Sequence, residues 1–241
     1  MPDLTINGYK HHYEDVGNGT PMIFIAGTRF DAARNWVEYM ERNASGFRII
    51  MPDIRGMAQS EHTDDVEGAD WVSDLGALLD ELGIDSIHLA AETLGTRIIT
   101  RFAFENPSRA KSLTLNGAIA YSYPGGDDER RNQPQSRIDA MKEYHGEDAS
   151  AINEFYLGLH SKPEFHQYYD LREIAAQVIA PTLLLRGDVD DERHPIVHST
   201  ELHALIPNSR LQIFANTEFN GMTHRPEESW ALIREMIRDV G

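Results

Sequence analysis

A hydroxyl at the apex of a tight strand-to-helix turn is the group in this sequence best placed to do chemistry. Ile84 to Ala91 is an apolar run that reads as a buried strand, and Leu94-Gly95-Thr96-Arg97-Ile98-Ile99 opens a helical pattern. Thr93 stands between them, with the small residues Ala91 and Gly95 two positions to either side, as a sharp turn requires. A hydroxyl lifted out of a sheet in this way attacks a carbonyl only when a neighbouring base takes its proton. Without that base it is a hydrogen-bonding group for substrate, or a cap on the helix that follows.

Four more segments bear on the same chemistry. Pro21-Met22-Ile23-Phe24-Ile25-Ala26-Gly27-Thr28 is a strand running into a glycine loop, and Met51-Pro52-Asp53-Ile54-Arg55-Gly56-Met57-Ala58-Gln59-Ser60 is a second strand end with a polar loop. Pro181 to Asp190 is an apolar strand that ends in acids, and Phe214 to Glu228 is a long loop leading into the last helical pattern. Together with the turn at Thr93, and in this order, they resemble the α/β-hydrolase family over nearly the whole chain. That family's turn reads Gly-x-Ser-x-Gly, its first loop His-Gly, its second Pro-Asp-x-Arg-Gly-x-Gly-x-Ser, and its triad runs nucleophile, acid, histidine.

The resemblance implies a scaffold whose usual chemistry has been replaced. Thr93 stands for the serine, Ala26 for the loop histidine and Phe219 for the triad histidine, while Asp190 keeps the place of the acid. Phe219 is expected to face Thr93 and cannot accept a proton. The family's turn also takes a positive φ, in which a branched, stiff threonine is uncomfortable. Substrate contact or a structural role for Thr93 is therefore favoured over covalent catalysis.

The family's oxyanion donors are main-chain N–H groups, here those of Leu94 and Thr28, so the loss of side chains does not remove them; each such donor is worth about 3 kcal/mol at a developing oxyanion. Gly27 allows close backbone approach. Glu92, beside the apex, and Glu218, before Phe219, are acids gained near the same mouth. Proximity to each other and to Asp190 would raise the pKa of at least one and supply a general acid or base. The plainer alternative is a solvated Glu92, or one paired with Arg29 or Arg97. Arg29 and Arg55 flank the site in the family layout and could grip a substrate carboxylate, though Arg55 is more often a structural contact within its loop. His224 lies five residues beyond the family's histidine, a span of up to roughly 17 Å, so it could reach the site, though Pro226 points to a helix-entry role. His194 and His198 share a helical face, but no carboxylate–histidine pattern accompanies them and no metal site is expected.

The elements that must position these groups are short and alternate. Leu4–Ile6 and Lys10–Tyr13 flank Asn7-Gly8, the strongest two-residue hairpin signal. Buried strands are expected near 22–25, 47–51, 86–90, 112–115, 182–185 and 210–214. In Ala69–Leu82 the spacing of Val72, Leu75, Leu79 and Leu82 predicts one apolar helix face, closed by Gly83 as a left-handed cap. Pro226 starts the last helix, with Glu227 and Glu228 at its positive end and Trp230, Ile233 and Ile237 inward. The rhythm implies an α/β fold with a mostly parallel central sheet, helices on both faces and a short helical cap. Residues 1–120 and 176–241 would form the core. Residues 121–175 would form the cap, with helices near 136–144 and 149–159 after a polar run from Tyr123 to Arg131. Its aromatic residues are expected to pack the cap onto the core more than to line a pocket.

Composition narrows the rest. The chain has 241 residues and a formal charge of −17, with four lysines among its 22 basic residues, which argues against nucleic acid and anionic membrane as partners. It has no cysteine, which excludes disulfides, thiolate metal sites and a cysteine nucleophile. With neither a basic leader at Met1-Pro2-Asp3 nor a long apolar run, a cytoplasmic protein with a small-molecule ligand and no cofactor is expected. Three functions fit: a lyase, decarboxylase, isomerase or cyclase using carboxylates on a small carbonyl compound; an ester, lactone or thioester hydrolase with Thr93 and a displaced base; or a binding protein on the same fold.

Overall fold

A computed structural model describes residues 3–27, 33–63, 65–122, 134–189 and 194–240. Asn7 (φ 50°) and Gly8 (φ 87°) both take left-handed backbone, the type I′ turn that Asn-Gly favours, and join β1 (Asp3–Ile6) to β2 (Tyr9–Gly17). The sheet continues with β3 (Thr20–Ile25), β4 (Phe47–Pro52), β5 (Ile87–Glu92), β6 (Ala110–Asn116), β7 (Thr182–Gly187) and β8 (Ser209–Phe214). Its order is β1-β2-β4-β3-β5-β6-β7-β8. β2 pairs antiparallel with β1 and β4, and every pairing from β4 onward is parallel. The carboxyl ends of β3 to β8 thus open on one edge, where the loops carrying the candidate groups emerge.

Strand alternation divides the core in two. Ile23 and Ile25 of β3, Ile50 of β4 and Leu89 of β5 face α2 (Gly68–Glu81) and α3 (Leu94–Glu105). Met22, Phe24, Ile49 and Met51 face the other way, toward α1 (Ala33–Asn43) and the last helix, Pro226–Val240. Such two-sided burial explains why the strands are continuous apolar runs. In α2 the inward residues include Val72, Leu75 and Leu79, as their spacing predicts, with Trp71 and Leu78 added; Gly83 follows at φ 64°.

Between β6 and β7 the described cap consists of α4 (Pro134–His145), α5 (Ala149–Leu159) and α6 (Pro163–Tyr168). The expected polar run at 123–131 lies outside the described residues. Phe165 and Tyr169 pack on Trp71 at ring-centre distances of 5.7 and 6.2 Å, and the Phe155 ring lies over Gly56. The cap's buried aromatics therefore serve mainly to fasten it to the core. The chain ends with α7 (Val197–Leu205), the short α8 (Gly221–His224) and α9 (Pro226–Val240).

Two histidines inside this frame make stability depend on pH. His88, hydrogen-bonded through Nδ1 to Ser112 Oγ at 2.8 Å, is held by burial down to a pKa of about 4. His198 is also pushed down to about 4, by burial and by the charges of Arg97 and other neighbours. Both folded values lie below that of a free imidazole, so unfolding takes up protons as pH falls below about 6.5. The stability these neutral imidazoles confer is complete above that pH and erodes toward pH 4. Burial raises the pKa of Asp53 and acts in the opposite sense. A variant isolates the histidine contribution: in urea titrations at pH 7.5 and 4.5, His88→Gln is expected to lose less stability on acidification than the parent. An equal loss in both proteins would contradict this assignment.

Candidate functional site

β5 carries the site to the sheet edge. Its last residue is Glu92, and Thr93 follows at φ 46° and ψ −119° before α3 begins at Leu94. A β-branched residue in this region costs of order 1–3 kcal/mol and persists only where its surroundings enforce it. The Thr93 N–H donates to the Asn116 carbonyl at 3.1 Å, and the Thr93 carbonyl accepts from Thr96 N–H at 3.0 Å and from Thr96 Oγ1 at 2.5 Å. Gly95 is required because a Cβ there would lie 2.8 Å from the Ile25 carbonyl oxygen. Thr93 itself is half-buried, and its hydroxyl makes no hydrogen bond among the described residues. Leu94 is buried, and its N–H belongs to the first turn of α3, whose donors have no partner within the helix.

Glu92 is buried, and both its carboxylate oxygens accept from N–H donors. Gly27 N–H donates to Oε1 at 3.1 Å and Asn220 Nδ2 to Oε2 at 2.5 Å. Acceptance at both oxygens suits an ionised carboxylate. The chain of contacts continues through Asn116 Nδ2, which donates to Asn220 Oδ1 at 2.5 Å, and through Met222 N–H, which donates to Asn116 Oδ1 at 3.1 Å. Asn220 Oδ1 also accepts from Thr223 N–H at 3.1 Å and so caps α8. One polar network thereby ties the loop after β3, the turn after β5, the end of β6 and the last loop. Gly27 is its closest approach: a Cβ built there would lie 2.8 Å from Glu92 Oε1 and 3.0 Å from Thr93 Oγ1. The carboxylate and the free hydroxyl converge on that point.

Phe219 lies over Gly117, the residue after β6, where a Cβ would meet its ring at 2.8 Å. Its ring stacks on His194 with centres 4.0 Å apart and planes inclined by 15°. His194 thus lies against the residue that, by the resemblance, stands in place of a histidine, a placement not expected from its spacing with His198. Glu218 is not brought to Glu92. Its carbonyl and that of Thr217 lie over Gly187 at the end of β7, and its exposed side chain meets His224 Nε2 at 3.4 Å. The expectation that Glu218 joins Glu92 at one mouth is corrected accordingly, and His224 stays on the surface in α8. Arg55 takes the structural of its two expected roles: it is buried, bonds both oxygens of Asp74, and lies 4.0 Å beneath the centre of the Tyr9 ring. Asp190, Thr28 and Arg29 lie outside the described residues. Among the described residues no group of three or more His, Cys, Asp or Glu side chains is placed to hold a metal ion.

The sequence profile of the alpha/beta hydrolase fold family matches residues 21–148. The chain belongs to this family. A 2-hydroxy-6-oxo-2,4-heptadienoate hydrolase of Pseudomonas putida is 26% identical, covering 86% of this chain and 85% of that protein. The AB hydrolase superfamily protein YisY of Bacillus subtilis is also 26% identical, over 92% of this chain and 93% of its own length. Among solved structures, a meta-cleavage product hydrolase from Pseudomonas fluorescens superposes with a TM-score of 0.77 at 20% identity, covering 100% of this chain and 98% of the other. The enol-lactonase from Burkholderia xenovorans gives 0.77 at 18% identity, over 98% and 100%. At these identities the structural matches speak to the fold alone. Within the α/β-hydrolase frame, Asn116, Asn220 and His194 are the site neighbours that sequence patterns do not disclose.

Proposed function

We propose that this α/β-hydrolase is an enzyme for a small oxo compound that works without covalent catalysis by Thr93. In this reading the main-chain N–H groups of Leu94 and Thr28 hold the substrate carbonyl oxygen, the Thr93 hydroxyl hydrogen-bonds the substrate, and Glu92 accepts and returns the proton. The reaction is then of lyase, decarboxylase, isomerase or cyclase type. The observation that carries it is the convergence of the Glu92 carboxylate and the uncommitted Thr93 hydroxyl over Gly27. Relatives named for 2-hydroxy-6-oxo dienoates support the substrate class, since such molecules carry a ketone and a carboxylate.

A second reading is favoured by the stack of His194 on Phe219. There His194 serves as a displaced base, Thr93 attacks, and the substrate is an ester, lactone or thioester. A phosphonate inhibitor of serine hydrolases separates the two, because it reports an activated hydroxyl. Incubation followed by peptide mass spectrometry is expected to leave the peptide bearing Thr93 essentially unmodified. Stoichiometric modification of Thr93 would reject the first reading in favour of the second.

A further inference from the structure

A second hydroxyl in this protein contacts a histidine, as that of Thr93 does not among the described residues. Ser122 follows β6 at the entrance to the cap, and α6 brings His166 against it, with His166 Nδ1 in hydrogen-bond contact with Ser122 Oγ. The other ring nitrogen, Nε2, lies 2.7 Å from the carbonyl oxygen of His160. A carbonyl only accepts, so Nε2 carries a proton, and in the neutral ring Nδ1 presents a lone pair to which the serine O–H donates. The histidine is thus held in the tautomer that a general base needs, with a main-chain carbonyl as orienting group.

The third partner is a cation. Arg97 NH1 and NH2 each lie 3.3 Å from Ser122 Oγ, and Arg97 Nε is anchored on the Tyr169 carbonyl at 2.8 Å. Arg97 is 1% exposed, whereas Ser122 and His166 are half-buried and within reach of solvent. A fixed guanidinium beside an accessible hydroxyl stabilises negative charge on that oxygen and on a carbonyl oxygen under attack. Arg97 lies one helical turn beyond Thr93, and Ile119 N–H meets Thr96 Oγ1 at 3.3 Å, so Ser122 belongs to the cap side of the same helix.

We propose that Ser122, His166 and Arg97 form an acyl-transfer site for small acyl esters, separate from the group around Glu92. Ser122 Oγ bonds to the ester carbonyl carbon as its proton passes to His166 Nδ1. His166 then gives that proton to the departing alkoxide as the ester C–O bond breaks, leaving acyl-Ser122 and free alcohol. Water, deprotonated by His166, releases the acid and restores the serine.

The test uses the whole chain and a fluorophosphonate probe, with the modified residue located by peptide mass spectrometry. The expected result is near-stoichiometric modification of Ser122 in the parent, slowed at least a hundredfold by His166→Gln. Modification at Thr93, or none at Ser122, overturns the proposal; modification at Thr93 also overturns the function proposed above, whereas absence of any adduct leaves that function standing. Because the chain has no cysteine, Ser122→Cys creates a single thiol and gives an independent readout. Its alkylation by iodoacetamide at pH 7 is expected to be at least tenfold faster than in the Ser122→Cys, His166→Gln double variant. Equal rates would mean that Ser122 and His166 merely fasten the cap.

Discussion

Glu92→Gln is expected to lower turnover of the oxo substrate on the order of a hundredfold or more, the usual contribution of a positioned general base. Glutamine keeps the length of the side chain and removes the proton acceptor. It also brings an NH2 group toward two donors that now bond the carboxylate, Gly27 N–H and Asn220 Nδ2. Asn220 cannot simply turn over, because its Oδ1 already accepts from Asn116 Nδ2 and Thr223 N–H. Replacing two hydrogen bonds to a charged acceptor by a donor–donor clash is therefore also expected to cost about 1–3 kcal/mol of stability. Thermal melting measures that loss, and kinetics at a temperature where both proteins are folded isolate the chemical effect. Full activity in the folded variant would remove Glu92 from the mechanism.

The largest effect on stability is expected at Gly187. A Cβ there would lie 1.9 Å from the Glu218 carbonyl oxygen and 2.0 Å from that of Thr217, and both obstacles are backbone. The last loop rests on this point, with Thr217 N–H donating to Asp188 Oδ1 at 3.2 Å and Val189 N–H to the Thr217 carbonyl at 2.9 Å. Gly187→Ala must push the loop away from β7, and overpacking against rigid atoms lies at or above the usual 1–3 kcal/mol. A fall in melting temperature of roughly 5–10 °C is expected for a chain of this size. Because the same loop carries Asn220, substrate binding should weaken as well. A melting temperature within a degree of the parent would show that the loop is not seated as described.

The fold was legible wherever the signal was local. Asn7-Gly8 disclosed its hairpin, and the apolar runs of β3 to β7 disclosed buried strands, because each depends on residues adjacent in the chain. The spacing of Val72, Leu75 and Leu79 did the same for α2. Helix α6 was not legible, since six residues are too few to display a helical period. The site divides in the same way. Thr93 could be read from a turn confined to Ala91–Gly95, but the Glu92–Asn220 and Asn116–Asn220 bonds join residues 128 and 104 positions apart. His194 was misread as one face of a helix with His198. Pro195 disfavours helical backbone in the residue before it, and the helix starts only at Val197, so His194 stacks on Phe219 from outside the helix. The register of the last loop suggests that Glu218 lies beside Glu92, yet the backbone over Gly187 turns its side chain to solvent.

Thr93→Val tests most directly whether Thr93 is a substrate contact and not a nucleophile. Valine matches threonine in shape and in its tolerance of φ 46°, so the change removes little besides the hydroxyl. The measurement is kcat of the variant on an oxo acid that the parent converts, beginning with a 2-hydroxy-6-oxo dienoate. Loss of one hydrogen bond to substrate predicts a decrease of about three- to thirtyfold. A decrease of roughly ten-thousandfold or more, the scale on which enzymes lose a covalent nucleophile, would contradict the account.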